Sequence, residues 1–439
     1  FNPATNSLNY NVFTHPFIHP GKLNRLSVEA YNKEGYSVYN TRSFAFFSDK
    51  KAEDVLPDLH VVVIGVSDYK GKALDLTYAA KDAADFSVAL KLASEKYLGY
   101  RNTFIHTLIT SDTSKRTHPS KENIKKAFSD VARQARPNDV VVIYMAGHGL
   151  NSDIDNDFHF LTDDAEHPYI SSAEELAKIT ISTTELSRIL QSIPAYQQLL
   201  ILDACHSGSL ATGLFSSAGQ LDSESIRALE EVKDRTGVYV LASSEKEDYS
   251  YESHAFEQGL LTYSLLFGIK GAGLLDGEYV DVVKLLQFVH KNVPDLAGDI
   301  GEHQQPVLRI PNNANSFFLG RMLTEEREKI NLVAPKPIIT PSNFQSEASM
   351  FDDLAFSSLM DETIRKKKEE GNHFLFLESG SQFQNALSVY GRYSVGNNGV
   401  ILCKYKIFKN QKEIYRGEIS SSDKRAVAAS IAQELMKKL

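Results

Sequence analysis

Val140-Val-Val-Ile-Tyr-Met-Ala-Gly-His-Gly149 is the stretch on which the fold of this 439-residue chain turns. Its uninterrupted apolar run suits a strand buried on both faces, as in a parallel sheet, and it ends abruptly at Gly147-His148-Gly149. Leu59-His-Val-Val-Val-Ile-Gly65, Thr103-Phe-Ile-His-Thr-Leu-Ile109, Leu199-Leu-Ile-Leu202 and Gly237-Val-Tyr-Val-Leu-Ala242 read as further strands. Between them lie helical patterns. Residues 78–97 place Ala83, Phe86, Leu90 and Ala93 at spacings of three and four, 121–133 are amphipathic, and Ser182-Thr-Thr-Glu185 is a capping box opening a helix with Leu186, Ile189 and Leu190 on one face. Alternating strand and helix predict an α/β fold, a mostly parallel sheet covered by helices with right-handed crossovers. Functional groups in such sheets gather beyond the carboxyl ends of the strands. Both Gly147-His148-Gly149 and Asp203-Ala-Cys205-His-Ser-Gly208 fall there.

Outside this core the first 55 residues read as β-rich, with Leu26–Tyr31 and Ser37–Ser43 flanking a turn at Asn32–Gly35. A lone hairpin is marginal in water, so this piece predicts the tail of an upstream domain. Helices follow the fifth strand at 258–268 and 280–291. Residues 323–346, with Pro335, Pro337 and Pro341, read as a linker. Residues 347–439 form a small C-terminal α/β domain: a helix at 352–370, strands at 374–377, 400–407 and 412–416, and a helix at 424–439. The domain expected between 56 and 322 carries the chemistry.

Composition narrows the function. A net charge of −9 without a long basic block gives no footprint for nucleic acid, and no apolar run is long enough to span a membrane. Cys205 and Cys403 form neither a disulfide framework nor a zinc pattern, which predicts a reducing, cytoplasmic setting and no metal; no cofactor is expected, because attack by a thiol on a carbonyl needs none. The chain begins at Phe1 rather than Met, which predicts a fragment or processed form whose signal peptide, if any, lies upstream. Asp153-Ile-Asp155-Asn-Asp157 alternates oxygen ligands but lacks the Gly and distal Glu of a calcium loop, so a solvated acidic loop is expected.

A thiol attacks a carbonyl as its thiolate and needs a nearby base. Cys205 sits where a buried strand gives way to a Gly and Ser segment, and His148 ends the neighbouring strand between two glycines. Two strand ends can bring imidazole and sulfur together without sequence adjacency, leaving the backbone N–H groups of Cys205 and Gly149 as candidates for an oxyanion hole. His206 would point the opposite way along an extended segment.

Tyr144-Met-Ala-Gly-His-Gly149 followed by Leu202-Asp-Ala-Cys-His-Ser-Gly208 resembles the caspase-like cysteine peptidases, especially their bacterial members and the metacaspases. Ile64-Gly-Val-Ser-Asp-Tyr69, Ala80-Lys-Asp-Ala83, Ala242-Ser-Ser244 and Gln258-Gly-Leu-Leu-Thr-Tyr263 match in the family's order. The resemblance covers about residues 58 to 320 and implies a caspase-like sheet with helices on both faces. It also implies a dyad of Cys205 as nucleophile and His148 as base. Asp203 and Asp82 match the acidic pocket of members that cut after Arg or Lys, so the expected partner is a protein or peptide with a basic residue before the scissile bond. Ser243 and Ser244 match the edge that pairs with substrate backbone, and Tyr251 and Glu252 just beyond are expected to help wall the pocket. The segment 207–236 resembles an inter-subunit linker in which Arg227, Lys233 or Arg235 would be sites of self-cleavage. Competing readings are a catalytically silent scaffold that recruits partners and a thiol acyltransferase or esterase using the same dyad. Asp203 as a turn cap and Asp82 as a helix-opening residue compete with the pocket.

Overall fold

The computed structural model describes residues 56–112, 117–152, 154–155, 157–167, 170, 172–204, 238–243, 252–254, 256–311, 316–332, 337–370, 374–376, 386–409 and 412–439, together with the backbone of the strands β1 (Leu23–Val28) and β2 (Arg42–Phe47). Contacts divide the chain into two units. The first holds residues 1–76, 97–242 and 309–314; the second holds 77–96, including helix α1 (Ala79–Glu95), 243–308 and 315–439.

In the first unit β1 and β2 pair antiparallel with Leu23 opposite Phe47 and Val28 opposite Arg42. The paired strands overlap the two expected runs only in part, and the expected turn at Asn32–Gly35 lies outside the described residues. The rest of the unit runs through β3 (Leu59–Gly65), β4 (Thr103–Ile109), α2 (Lys121–Gln134), β5 (Val140–Gly147), β6 (Gly149–Ser152), β7 (Asp157–Leu161), α3 (Ala173–Ile179), β8 (Thr180–Ser182), α4 (Thr183–Ser192), β9 (Gln197–Ala204) and β10 (Tyr239–Ala242). The long strands are all parallel, in the order β10-β9-β5-β3-β4. The fold is α/β, with a parallel-rich central sheet flanked by helices. Every residue of β3 and β5 is buried, which is why their sequences carry no alternation, while β4 is only partly buried. β6, β7 and β8 form a separate antiparallel meander directly after His148.

Half of the predicted capping box at α4 is present. Ser182 Oγ accepts the Glu185 N–H at 3.0 Å. The Glu185 carboxylate instead takes Lys121 at 2.8 Å and Lys125 at 3.0 Å, because two ammonium groups on α2 outcompete one backbone N–H.

The amino ends of β3, β4 and β5, at the pole of the sheet away from His148, are tied by a buried charge network. Asp139 accepts from the Asp58 N–H at 2.8 Å, the Arg136 N–H at 2.8 Å, an Arg136 guanidinium nitrogen at 2.8 Å and His60 Nε2 at 3.2 Å. Asp58 holds Arg101 through both carboxylate oxygens and Asn102 at 2.9 Å. Asp58, His60 and Asp139 bring ligand atoms within 4.8 Å of one another, as a metal site would, but Arg101 and Arg136 already supply the positive charge. Burial works to raise the Asp139 carboxyl; the hydrogen bonds from His60, Asp58 and Arg136 outweigh it and hold it at about 2. A folded value below the unfolded one makes this contribution complete above about pH 4 and lost as the pH falls towards 2. Asp139→Asn, which leaves Arg136 and His60 without their anion, is expected to destabilise the protein by about 3 kcal/mol at neutral pH and to flatten the acid limb of its denaturation profile. An unchanged urea midpoint would show that the network contributes nothing.

The second unit adds β11 (Glu252–Ser253), β12 (Gln258–Gly259), α5 (Leu260–Phe267), β13 (Tyr279–Asp281), α6 (Val282–Asp299), β14 (Val307–Arg309, of which Arg309 falls in the first unit), β15 (Phe318–Arg321) and α7 (Thr324–Lys329). α6 opens at Asp281, whose carboxylate accepts the Lys284 N–H at 2.9 Å, and runs beyond the expected end at Lys291 through Pro294.

Residues 323–346 are not a plain linker. They hold α7 and the strands β16 (Ile338–Ile339) and β17 (Asn343–Ser346). These strands pair with β19 (Leu387–Val395) in a sheet ordered β18-β16-β19-β20-β21, where β18 is Leu375–Phe376, β20 Ile401–Lys409 and β21 Lys412–Ser421. β19 escaped the sequence reading because its alternation is broken by Gly391, against which the Phe344 ring packs so closely that a Cβ would come within 2.3 Å of it. Helices α8 (Phe356–Glu369) and α9 (Lys424–Met436) complete the core with Phe356, Met360, Ile364, Val427, Ile431 and Leu435. The expected start of α8 at Asp352 is its cap: the carboxylate accepts the Phe356 and Ser357 N–H groups, each at 2.8 Å.

Candidate active site

His148 occupies the single position between β5 and β6, and it is buried. Its backbone N–H donates to Tyr69 Oη at 2.8 Å, and its carbonyl accepts the Leu161 N–H at 2.9 Å. The Tyr69 ring packs on the imidazole with centroids 5.3 Å apart. Tyr69 is itself fixed by its own N–H, which donates to Asp75 at 2.9 Å. His148 Nε2 lies 2.8 Å from the Leu74 carbonyl oxygen. A carbonyl only accepts, so Nε2 carries the proton, and in the neutral ring Nδ1 is the basic nitrogen. Backbone and neighbours thus fix ring position and tautomer together.

Parallel register places the end of β9 beside this histidine. Ala146 lies opposite Asp203 and Gly147 opposite Ala204. Asp203 is 8% exposed, inside the last turn of strand rather than on the surface. Leu161 donating to His148 makes Gly149 and Phe160 a non-hydrogen-bonded pair, so the Gly149 N–H points away from β7. A Cβ at Gly149 would lie 2.3 Å from the Phe158 ring and 3.4 Å from the Ala204 carbonyl oxygen. The missing side chain is what lets β6 begin so close to the end of β9.

In the second unit Asp82 is 2% exposed in the first turn of α1. One carboxylate oxygen accepts the Gly259 N–H at 2.9 Å, and Asp85 takes Gln258 Nε2 at 3.0 Å. Glu252 accepts the N–H groups of Thr77 at 2.9 Å and Tyr78 at 2.7 Å, while Tyr78 Oη lies 2.9 Å from His254 Nδ1. Glu252 therefore caps the amino end of α1, where a carboxylate is favoured by the helix dipole. Ser243 is buried, and its carbonyl accepts Gln304 Nε2 at 2.8 Å.

Cys205, His206, Arg227, Lys233, Arg235, Ser244 and Tyr251 lie outside the described residues. The chain's other cysteine, Cys403, sits in the core of the C-terminal sheet, where burial pushes its thiol up to about 12 and keeps it protonated. Of the acidic loop, Asp153 is outside the described residues; Asp155 takes His159 Nε2 at 3.0 Å, and Asp157 accepts the Phe158 and Thr184 N–H groups at 3.0 and 2.8 Å. Those two carboxylates serve β7 and α4. Sequence reasoning placed Tyr69 in a motif without giving it a task and passed over Leu74 and Asp75. Leu74 acts through its carbonyl, which every residue has.

A family model for the caspase domain matches residues 59–318. Among similar proteins, Metacaspase-3 of Arabidopsis thaliana is 25% identical over 223 residues, 48% of this chain and 59% of that protein. Metacaspase-4 of Arabidopsis thaliana is 25% identical over 193 residues, 44% of this chain and 39% of the relative. Metacaspase-1 of Candida glabrata is 32% identical over 116 residues, 26% and 29% of the two chains. The chain thus spans less than two thirds of the length of these relatives. With the matched region embracing the parallel sheet, His148 and the end of β9, the chain belongs to the caspase-domain family.

Proposed function

We propose that the protein is a cysteine endopeptidase that cuts after Arg or Lys, with Cys205 as nucleophile and His148 as general base. The observation that supports it most is the register of β5 against β9. Ala204 stands opposite Gly147, and the residues that follow them in the sequence are Cys205 and His148. His148 Nδ1 takes the thiol proton, and the thiolate attacks the scissile carbonyl carbon. Negative charge gathers on the carbonyl oxygen, to which the Gly149 and Cys205 N–H groups donate. Collapse breaks the C–N bond as His148 returns the proton to the leaving amine. Water, losing a proton to His148, then hydrolyses the thioester and releases Cys205.

Asp203 and Asp82 supply the negative charge for the basic side chain, with Asp82 keeping one oxygen on Gly259. The backbone following β10, Ser243 and Ser244, pairs with substrate. Residues 56–322 form the peptidase domain between the N-terminal β piece and the accessory domain at 347–439. The enzyme cuts itself at one of Arg227, Lys233 and Arg235.

A chloromethyl ketone peptide ending in Arg is expected to label the wild-type protein and to leave Cys205→Ala unlabelled. On incubation, wild type gives fragments ending at the basic residues of 227–235 and Cys205→Ala stays whole. Labelling that persists in Cys205→Ala sinks the assignment of the nucleophile; uncut wild type under conditions where peptides are cleaved sinks self-processing alone.

A further inference from the structure

β19, β20 and β21 bury one face against α8 and α9 and leave the other in water. Register builds the outer face row by row: Ser388 opposite Phe408, Tyr390 opposite Lys406 and Arg416, Arg392 opposite Lys404 and Glu418. The Tyr390 and Phe408 rings meet with centroids 5.5 Å apart, and Tyr390 is 37% exposed. Arg392 beside Lys404, and Lys406 beside Arg416, are like charges directly across a ladder, a pairing that destabilises a sheet. Glu413 relieves the second by taking both Lys406 and Arg416 at 2.6 Å. Among the described residues no carboxylate comes within ion-pair distance of Arg392 or Lys404. The three strands hold six Lys and Arg against two Glu in a chain of net charge −9.

We propose that this face binds single-stranded nucleic acid, with bases stacked on Tyr390 and Phe408 and phosphates on Arg392 and Lys404. An anion restores the balance that the Arg392 and Lys404 pair lacks. The two aromatic rings on the same face select among anions: an unpaired base has a π-face to lay on them, an acidic peptide or a lipid headgroup has none, and a duplex hides its base faces in the stack. A second copy pairing through this same face would set cations against cations. The expectation from sequence that nucleic acid is no partner rested on the net charge of −9 and the absence of a long basic block; here the cations sit at alternate positions on separate strands, and pairing collects them.

The full chain is expected to bind fluorescein-labelled oligo(dT) and oligo(U) of about 12 nucleotides at roughly 50 mM salt, with affinity falling as salt rises. Arg392→Glu with Lys404→Glu should weaken binding more than about 10-fold and flatten the slope of log K against log salt by about 1.4, near 0.7 for each phosphate no longer neutralised. Tyr390→Ala should weaken it by roughly 5-fold or more with the slope unchanged, and Tyr390→Phe should restore it. Circular dichroism checks that each variant is folded. No binding at low salt, indifference to the charge reversal, indifference to Tyr390→Ala, or tighter binding to duplex DNA, polyglutamate or phosphatidylserine vesicles would each overturn the proposal.

Discussion

His148→Ala is expected to lower kcat/KM for a fluorogenic peptide ending in Arg on the order of 10⁴-fold, with Cys205→Ala at least as damaging. The two losses should not add, because nucleophile and base act in one proton transfer. Tyr69→Phe separates catalysis from positioning. Phenylalanine keeps the ring against the imidazole but removes the oxygen that accepts the buried His148 N–H at 2.8 Å. Leaving that donor unsatisfied costs about 1–3 kcal/mol, so a fall in kcat of about 10-fold with little change in KM is expected. A rise in KM at unchanged kcat would assign Tyr69 to substrate binding instead. Full activity in His148→Ala would remove the histidine from the chemistry.

Asp203→Ala is expected to cost roughly 10²- to 10³-fold in kcat/KM on Arg and Lys peptides, as follows from truncating one partner of a desolvated charge pair at about 2–5 kcal/mol. Peptides with Leu before the scissile bond should lose far less, so the preference for basic residues collapses rather than activity as such. Asp82→Asn tests the second carboxylate more gently. An amide oxygen can still accept the Gly259 N–H at 2.9 Å, so α1 and β12 stay joined while the charge is gone. Its effect should be smaller than that of Asp203→Ala and confined to basic substrates. Faster cleavage after Asp than after Arg by the wild-type protein would end the acidic-pocket reading.

The sequence alone determined the parallel sheet and the positions of His148 and Cys205 in the chain. Both follow from local chemistry: Val140–Ala146 and Leu199–Leu202 are apolar without interruption, and each breaks into a Gly-flanked polar segment carrying one reactive side chain. Tertiary structure decided what holds His148. Tyr69 Oη and the Leu74 carbonyl reach it across more than 70 residues, and a carbonyl leaves no mark in a sequence. It decided that Glu252 caps α1, that the proline-bearing stretch 323–346 supplies strands to the C-terminal sheet, and that Arg392, Lys404, Lys406 and Arg416 share one face. Periodicity reports which side of its own strand a residue faces; only pairing and register say which residues of other strands stand beside it.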